Sequence, residues 1–159
     1  MIIRPAHPED GEQMADILNP LIEDGTSTAI EDPVTGDEMR RWMRDRSTRS
    51  TWQVAEADGR LLGFQWAAPH DSLPDDAASI ATFARIDGAG RGVGTDLFAA
   101  TKVACKALGY CWINASIRSD NDSGLRFYTK MGFNTYNVDP SHSLGSGKVT
   151  GKTHKRFDF

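Results

Sequence analysis

The segment 79–100 reads SIATFARIDGAGRGVGTDLFAA, with a glycine-rich loop, Ala89–Thr95, at its centre. A β-like run, Ser79–Ile86, precedes the loop, and an amphipathic helix beginning near Asp96 follows it. Glycines at a strand-to-helix turn let successive backbone N–H groups converge on one point, because no Cβ blocks the approach. The first turn of a helix also carries a partial positive charge. The loop therefore predicts a pyrophosphate site, with a plain tight turn as the alternative.

The glycine spacing argues against two common nucleotide loops. Gly90, Gly92 and Gly94 leave no third glycine where a dinucleotide-binding loop places one. No Gly-Lys-Ser/Thr follows, so the loop lacks the lysine and the hydroxyl that a nucleoside triphosphate and its magnesium require. The loop fits better with a cofactor whose pyrophosphate serves for binding and takes no part in the reaction. Coenzyme A is the obvious candidate.

A second motif, Asn121–Phe133, reads NDSGLRFYTKMGF. The preceding run, Tyr110–Ile117, is rich in β-branched and aromatic residues and predicts a strand. Asp122 or Ser123 can then cap a short helix that ends at Gly132. Tyr128 follows Asn121 by two helical turns, so both residues are expected on the same side of the helix.

The two motifs, in this order, resemble those of the GNAT superfamily of acetyl-CoA-dependent N-acetyltransferases. The family loop usually reads Arg/Gln-Gly-x-Gly-x-Gly/Ala, and the later motif reads Asn-x-x-Ala-x-x-Phe/Leu-Tyr-x-x-x-Gly-Phe. Segments Asn19–Thr26 and Glu31–Thr35 are similar to the phosphinothricin and methionine-sulfoximine acetyltransferase branch. The sequence departs from these patterns at three positions. Ala89 stands where the family usually has arginine or glutamine, and Gly124 stands where it usually has alanine. Ser79 falls where this branch often has a glutamate that serves the substrate amine.

The resemblance implies a GNAT fold of the α/β (α+β) class, with a mixed, mostly antiparallel sheet flanked by helices, as one domain over residues 1–159. It implies acetyl-CoA as co-substrate, and Tyr128 as the general acid that protonates the leaving thiolate. The residues that it assigns to the cofactor are Thr82, Phe83, Ala84, Gly90, Arg91, Gly92, Val93, Gly94, Thr95 and Asn121. Many members of the family pair, so a homodimer is also expected.

The sequence leaves open which group accepts the proton of the acceptor amine. Acidic residues and a histidine in two loops are candidates, each with plain surface polarity as its alternative: Glu23, Glu31, His70, Asp71, Asp75 and Asp76. Glu31 is the first choice. His142 and His154 lie in a polar C-terminal segment and receive no role. No His, Cys or Asp spacing suggests a metal site.

Three local patterns bear on the loops around the predicted site. Pro20 is expected to kink or end the first helix, because proline removes the hydrogen bond to Asp16. Thr35–Glu38 has the spacing of a capping box, and Asp58–Gly59 between two β-like runs indicates a hairpin. Residues 134–152 are polar and rich in glycine and serine, with a final strand predicted only near the C-terminus.

Composition fits one domain that does not bind nucleic acid. The chain has 159 residues, of which 39% are hydrophobic, and a net charge of −4 where nucleic-acid binding needs a basic surface. No run of about eighteen apolar residues predicts a membrane span. No signal peptide is evident, and a cytoplasmic protein with two free thiols is expected. Mid-strand burial of Cys111 would make it a poor acyl carrier, which favours direct transfer in a ternary complex.

The sequence thus predicts an N-acetyltransferase that uses acetyl-CoA and acts on the primary amine of a small polar molecule, such as an amino acid or an analogue. A protein or peptide N-acetyltransferase is the nearest alternative. A non-catalytic acyl-CoA-binding module is the alternative from another class, motivated by Ala89 and Ser79.

Overall fold

The computed structural model describes residues 1–45, 48–87 and 92–159. The strands are β1 (Ile2–Pro5), β2 (Thr51–Ala57), β3 (Arg60–Ala68), β4 (Ala77–Ala84), β5 (Trp112–Arg118), β6 (Asn134–Ser143) and β7 (Val149–Asp158). The helices are α1 (Gly11–Asp24), α2 (Gly36–Asp45), α3 (Val93–Ala107) and α4 (Asp122–Lys130), preceded by a 3₁₀ turn at Pro8–Asp10. No helix within these ranges is long and apolar enough to cross a membrane.

The seven strands of the described ranges form one sheet in the order β1-β2-β3-β4-β5-β7-β6. All neighbouring strands are antiparallel except β4 and β5. These two parallel strands pair only where Ala77–Ser79 meets Trp112–Asn114. Beyond that point the pairing stops, which leaves a gap in the middle of the sheet. The predicted mixed, mostly antiparallel sheet flanked by helices is confirmed.

Side chains of the sheet alternate between two buried layers. Phe64, Trp66 and Phe83 pack under α1 and α2, in a cluster that also contains Met14 and Leu18. The intervening strand residues point the other way and pack against α3 and α4. This second cluster includes Ile80, Phe98, Ile113, Tyr128 and Phe133. This alternation decides on which face of the sheet the side chain of each residue of β4 and β5 lies at the gap.

The first helix does not end at Pro20, contrary to one of the two outcomes expected there. Helix α1 continues to Asp24, and Gly25 ends it with φ of 83° and an N–H that donates to Leu21 O (3.3 Å). Leu21 and Ile22 are both 9% exposed, and their burial against the sheet holds the last turn together. Proline removes only one backbone donor, and this apolar contact outweighs that loss.

Two other local predictions are confirmed. The Glu38 N–H donates to Thr35 Oγ1 (3.1 Å) at the start of α2, so Thr35 caps that helix. Asp58 and Gly59 have φ of 52° and 77° between β2 and β3, as a two-residue type I′ hairpin requires.

The C-terminal segment is where the structure differs most from what the sequence predicts. Residues 134–152, expected to be a polar stretch, contain β6 and the start of β7. Strand β7 pairs with β6 on one edge and with β5 on the other. Most side chains of β6 are exposed, so the strand carries no apolar alternation by which a sequence would reveal it.

Candidate active site

A cavity of about 600 Å³ occupies the gap between β4 and β5. Its walls include β4 residues of both orientations, because Ala81 and Phe83 face the α1–α2 layer while Ile80 and Thr82 face the α3–α4 layer. The cavity therefore passes through the sheet and borders both layers. The loop between α1 and α2, the start of α3 and the helix α4 also line the cavity.

Two residues of β4 direct their backbone groups into the gap. Arg85 N donates to Leu62 O (2.9 Å), and the pairing of β3 with β4 is regular up to that point. Backbone groups of an antiparallel strand alternate in direction, so Phe83 is directed at β3. Thr82 and Ala84 are directed at the gap and line the cavity. The sequence alone did not show this difference among the three residues.

Tyr128 forms part of the cavity wall although its side chain is 7% exposed. Its Oη lies 2.8 Å from Thr82 Oγ1, which joins α4 to β4 across the gap. Burial raises the pKa of the phenol to about 12, although the hydrogen bond with Thr82 lowers it. Tyr128 therefore keeps its proton at neutral pH and has it available to donate.

Asn121 lines the cavity, but its amide is already engaged. Its Oδ1 accepts from Gly124 N (3.0 Å), which caps α4, and its Nδ2 donates to Ser27 O (3.3 Å). A Cβ on Gly124 would lie 2.5 Å from Asn121 Nδ2, so this departure from the family motif makes room for the cap. Cofactor binding by Asn121 remains a prediction.

Glu31 is not among the residues that line the cavity. Its carboxylate accepts hydrogen bonds from the backbone N–H (2.8 Å) and the hydroxyl of Ser146. These bonds hold the pKa of Glu31 below its usual value, which weakens it as a base. The structure thus does not bring Glu31 next to Tyr128, and its catalytic role stays a prediction.

The remaining sequence candidates for the base lie on the surface. All are exposed, and none lines the cavity: Glu23, His70, Asp71, Asp75 and Asp76.

The glycine-rich loop is described only in part. Gly90 and Arg91, both assigned to the cofactor, lie outside the described residues. Gly92 has φ of 79° and immediately precedes Val93, the first residue of α3. Gly94 lines the cavity. Thr95 follows on the exposed side of the first turn. The N-terminus of α3, with its unsatisfied N–H groups, therefore borders the cavity.

A chain of hydrogen bonds that no sequence motif predicted reaches the cavity from β6 and β7. The Tyr136 hydroxyl donates to Asn114 Oδ1, and Asn114 Nδ2 donates to Ser116 Oγ (2.9 Å). Ser116 Oγ lies 2.8 Å from His154 Nδ1. Because Ser116 already accepts from Asn114, its own hydrogen is free to be donated to His154. Ser116 lines the cavity, so His154 is connected to it through one hydroxyl.

His154 is suited to receive a proton at neutral pH. Burial lowers its pKa below the usual 6.5, and the nearby Lys152 lowers it further, with Asp139 acting in the opposite sense. The imidazole is therefore neutral near pH 7. No sequence signal pointed to His154, because its proximity to Ser116 depends on the pairing of β7 with β5.

Two cations next to the cavity differ in their partners. Arg118 is 4% exposed, forms an ion pair with Asp120 (2.8 Å) and donates to Thr28 O (3.1 Å). Lys152 lines the cavity, and its side chain makes no hydrogen bond or ion pair within the described ranges. Burial lowers its pKa, while Asp139 across the strand pair raises it. Lys152 therefore offers the cavity an ammonium group without a direct partner.

The described part of the chain contains no cluster of three or more His, Cys, Asp or Glu residues that could hold a metal ion. The cysteines differ from each other. Cys105 is buried, and burial raises the pKa of its thiol to about 12. Cys111 is exposed and precedes β5, so the expectation that it lies buried in mid-strand is wrong.

The split sheet, the N-terminus of α3 and a buried proton donor at one cavity are the elements of an acyl-transfer site. A family model described as an acetyltransferase (GNAT) domain matches residues 1–134. The chain belongs to the GNAT acetyltransferase family and is an acyltransferase, as its two motifs predicted.

Named relatives agree with the predicted branch. The phosphinothricin N-acetyltransferase of Streptomyces coelicolor is 25% identical over 137 residues, which make up 82% of this chain and 80% of that protein. The mycothiol acetyltransferase of Actinosynnema mirum is 32% identical over 85 residues, which make up 54% of this chain but only 28% of that longer protein.

Solved structures confirm the fold. The ribosomal-protein-alanine N-acetyltransferase of Brucella melitensis has a TM-score of 0.91 at 17% identity, with all of both chains covered. The phosphinothricin acetyltransferase of Sinorhizobium meliloti, in complex with acetyl-CoA, has a TM-score of 0.88 at 18% identity, covering 99% of this chain and 88% of that one.

Proposed function

We propose that this enzyme transfers an acetyl group from acetyl-CoA to the primary amine of a small polar molecule that also carries a carboxylate, such as an amino acid or an analogue. Transfer is direct, within a ternary complex. The observation that carries the proposal is the cavity through the sheet, which meets the α3 N-terminus and Tyr128 in one layer and Lys152 in the other. Donor and acceptor enter from opposite sides and meet in the gap.

The donor end has the features that acetyl-CoA needs. The α3 N-terminus offers N–H groups to a pyrophosphate, and Thr82 and Ala84 offer backbone groups to an extended arm in the gap. Bound acetyl-CoA supplies a thioester carbonyl. A fixed backbone N–H aimed at that oxygen stabilises developing negative charge without reorganisation.

Proton transfer is assigned to two groups on opposite sides of the gap. Tyr128 donates its phenolic proton to the leaving sulfur. Ser116 takes a proton from the amine and passes its own to His154, whose neutral imidazole is a competent base. Two separate groups let protonation of the sulfur and deprotonation of the nitrogen proceed together. Solvent then restores both groups.

The acceptor end favours a compact anion-bearing amine. Trp66, Leu21 and Ile30 form an apolar wall, and Lys152 adds a positive charge without a direct partner. An ammonium group in a partly buried site attracts a carboxylate more strongly than one in bulk water. The names of the Streptomyces coelicolor and Sinorhizobium meliloti relatives point to an amino-acid analogue as their acceptor, which agrees with this chemistry.

The test is free-thiol release from acetyl-CoA with a panel of amino acids, amino-acid analogues, polyamines, aminoglycosides and short peptides. We expect release with one class of carboxylate-bearing amine, and a rate about a hundredfold lower in Tyr128→Phe, as loss of a general acid costs. Turnover of peptides but not of free amino acids would instead indicate a peptide N-acetyltransferase. Acetyl-CoA binding without any thiol release would indicate the non-catalytic module.

A further inference from the structure

Three side chains form a row of hydrogen bonds from the interior of the sheet to the cavity wall. Gln65 on β3 is fully buried, and its Nε2 donates to Thr82 Oγ1 (2.8 Å). Thr82 Oγ1 in turn lies 2.8 Å from Tyr128 Oη. Gln65 and Thr82 are direct partners in the register of β3 and β4, so the sheet itself fixes their spacing.

The donors and acceptors of this row have a defined direction. A hydroxyl has one hydrogen to donate and two lone pairs to accept with. Gln65 occupies one lone pair of Thr82, and within the described ranges Tyr128 is the remaining hydrogen-bond partner of that hydroxyl. The Thr82 hydrogen is therefore satisfied when it points to Tyr128 Oη. Tyr128 then accepts from Thr82, and its own hydrogen is left for the cavity.

We propose that Thr82 and Gln65 are positioning residues that aim the phenolic proton of Tyr128 into the cavity and hold the phenolate once that proton has left. This inference rests on the proposed function, in which Tyr128 is the general acid. In the step, the O–H bond of Tyr128 breaks and an S–H bond forms on the coenzyme sulfur. The Thr82 hydroxyl donates to the resulting phenolate, which later recovers a proton from solvent.

The amide orientation of Gln65 matters to this arrangement. Its Oε1 is buried and takes no hydrogen bond from any described residue. A buried acceptor without a partner costs free energy, so the described orientation of the amide is maintained against that cost. With Oε1 turned toward Thr82, the Thr82 hydrogen would go to Gln65, and Tyr128 would have to donate to Thr82 instead of to the cavity.

The test is a double-mutant cycle of Thr82→Val and Tyr128→Phe, read as single-turnover thiol release at saturating acetyl-CoA. Valine keeps the shape of threonine without its hydroxyl. We expect Thr82→Val to slow release about tenfold, a fraction of the full contribution of a general acid. Thr82→Ser should restore most of the rate. Combined with Tyr128→Phe, Thr82→Val should cost nothing further, because the acid it serves is already missing.

Two substitutions complete the series. Thr101→Val is the matched control, since Thr101 is also fully buried but lies in α3 away from the cavity lining, and it should leave the rate unchanged. Gln65→Glu puts an acceptor in place of the amide donor, so it should slow release more than Gln65→Met does.

A second measurement is independent of turnover. With 3-fluorotyrosine at position 128, the ¹⁹F signal reports the titration of that phenol. Thr82 lowers the pKa of Tyr128, so Thr82→Val should move the midpoint to higher pH while Thr101→Val does not. An unmoved midpoint overturns the inference, as does an equal loss of rate from Thr82→Val with and without Tyr128. Full activity in Tyr128→Phe would instead remove the proposed acid, and the proposed function would need revision.

Discussion

At the scale of single residues, Lys152 bears on which amine is acetylated. Its ammonium group faces the cavity, while the neighbouring Arg118 is neutralised by Asp120. We expect Lys152→Met to raise KM for a carboxylate-bearing amine about tenfold or more, the worth of one charge-assisted hydrogen bond. The effect on kcat should be small at a pH well above the pKa of His154, because Lys152 acts on the proton path only by lowering that pKa. The measurement is steady-state kinetics with an amino acid.

The matched comparison is the same amine with its carboxylate amidated, for which Lys152→Met should change KM little. Lys152→Arg keeps the charge and should stay closer to wild type. An equal rise in KM for both amines would show that Lys152 shapes the cavity without recognising an anion.

His154 gives a second prediction at this scale, through pH. A base must be neutral to act, so kcat/KM falls as pH drops through its pKa. Burial places the pKa of His154 below 6.5, so activity should persist into mildly acidic solution before falling. In His154→Gln, the fall in kcat/KM at acidic pH (the acid limb of the profile) should disappear, and transfer should be about a hundredfold slower. The measurement is a pH profile of kcat/KM for both proteins.

His70→Gln serves as the control, because His70 is exposed and outside the cavity lining. If Glu31 is the base, as the sequence analysis preferred, Glu31→Gln would abolish activity while His154→Gln kept its acid limb. That result would remove the Ser116–His154 path.

At the scale of elements, the loop between α1 and α2 is held by side chains from three directions. Asn19 on α1 binds both backbone groups of Val34, accepting from its N–H (2.8 Å) and donating to its carbonyl (2.9 Å). Arg118 at the end of β5 donates to the carbonyl of Thr28, and Asn121 before α4 donates to the carbonyl of Ser27. These contacts fix the part of the cavity wall that the proposed acceptor amine would meet.

Asn19→Ala should therefore affect acceptor binding more than acetyl-CoA binding. Val34 is 6% exposed, so losing both hydrogen bonds leaves buried backbone groups unpaired, at a cost of about 2 kcal/mol in the free energy of unfolding. We expect a higher KM for the amine and an unchanged Kd for acetyl-CoA, measured with urea denaturation alongside. Asn134→Ala, at an exposed position of β6, should change none of these. A weakened acetyl-CoA affinity would show that the loop serves the donor end.

At the scale of the whole molecule, an ion pair joins the first strand to the first helix. Arg4 on β1 binds both carboxylate oxygens of Asp10 at 2.9 Å, and the His7 N–H also donates to Asp10 (2.7 Å). Burial raises the pKa of Asp10, but these hydrogen bonds outweigh it and hold the pKa below the usual 3.8. A carboxylate whose pKa is lower in the folded state than in the unfolded state stabilises the protein at any pH above its unfolded-state pKa. That stabilisation is lost as the pH falls through the folded-state pKa.

Asp10→Asn should accordingly lower Tm at neutral pH and flatten its decline below about pH 4, the range in which an unfolded Asp takes up its proton. Thermal denaturation between neutral and strongly acidic pH measures this. Asp16→Asn, on the exposed face of α1, is the control and should follow the wild-type curve. Parallel declines in Asp10→Asn and wild type would show that other carboxylates govern acid unfolding.

The sequence by itself determined the fold class and the family, and its two motifs lie in the segments that bring Thr82, Gly94 and Tyr128 to the cavity wall. These lie in short segments, β4 to α3 and β5 to α4, whose glycines, apolar periodicity and motif spacing act locally and can be read along the chain. Only the tertiary structure decided how the opposite wall of the cavity is assembled. Ser116 and His154 meet because β7 pairs with β5. That pairing joins polar residues far apart in the chain, and no hydrophobic periodicity in the sequence predicts it. Tertiary contacts also decided where the first helix ends. It continues past Pro20 because the burial of Leu21 and Ile22 outweighs the preference of proline to end a helix.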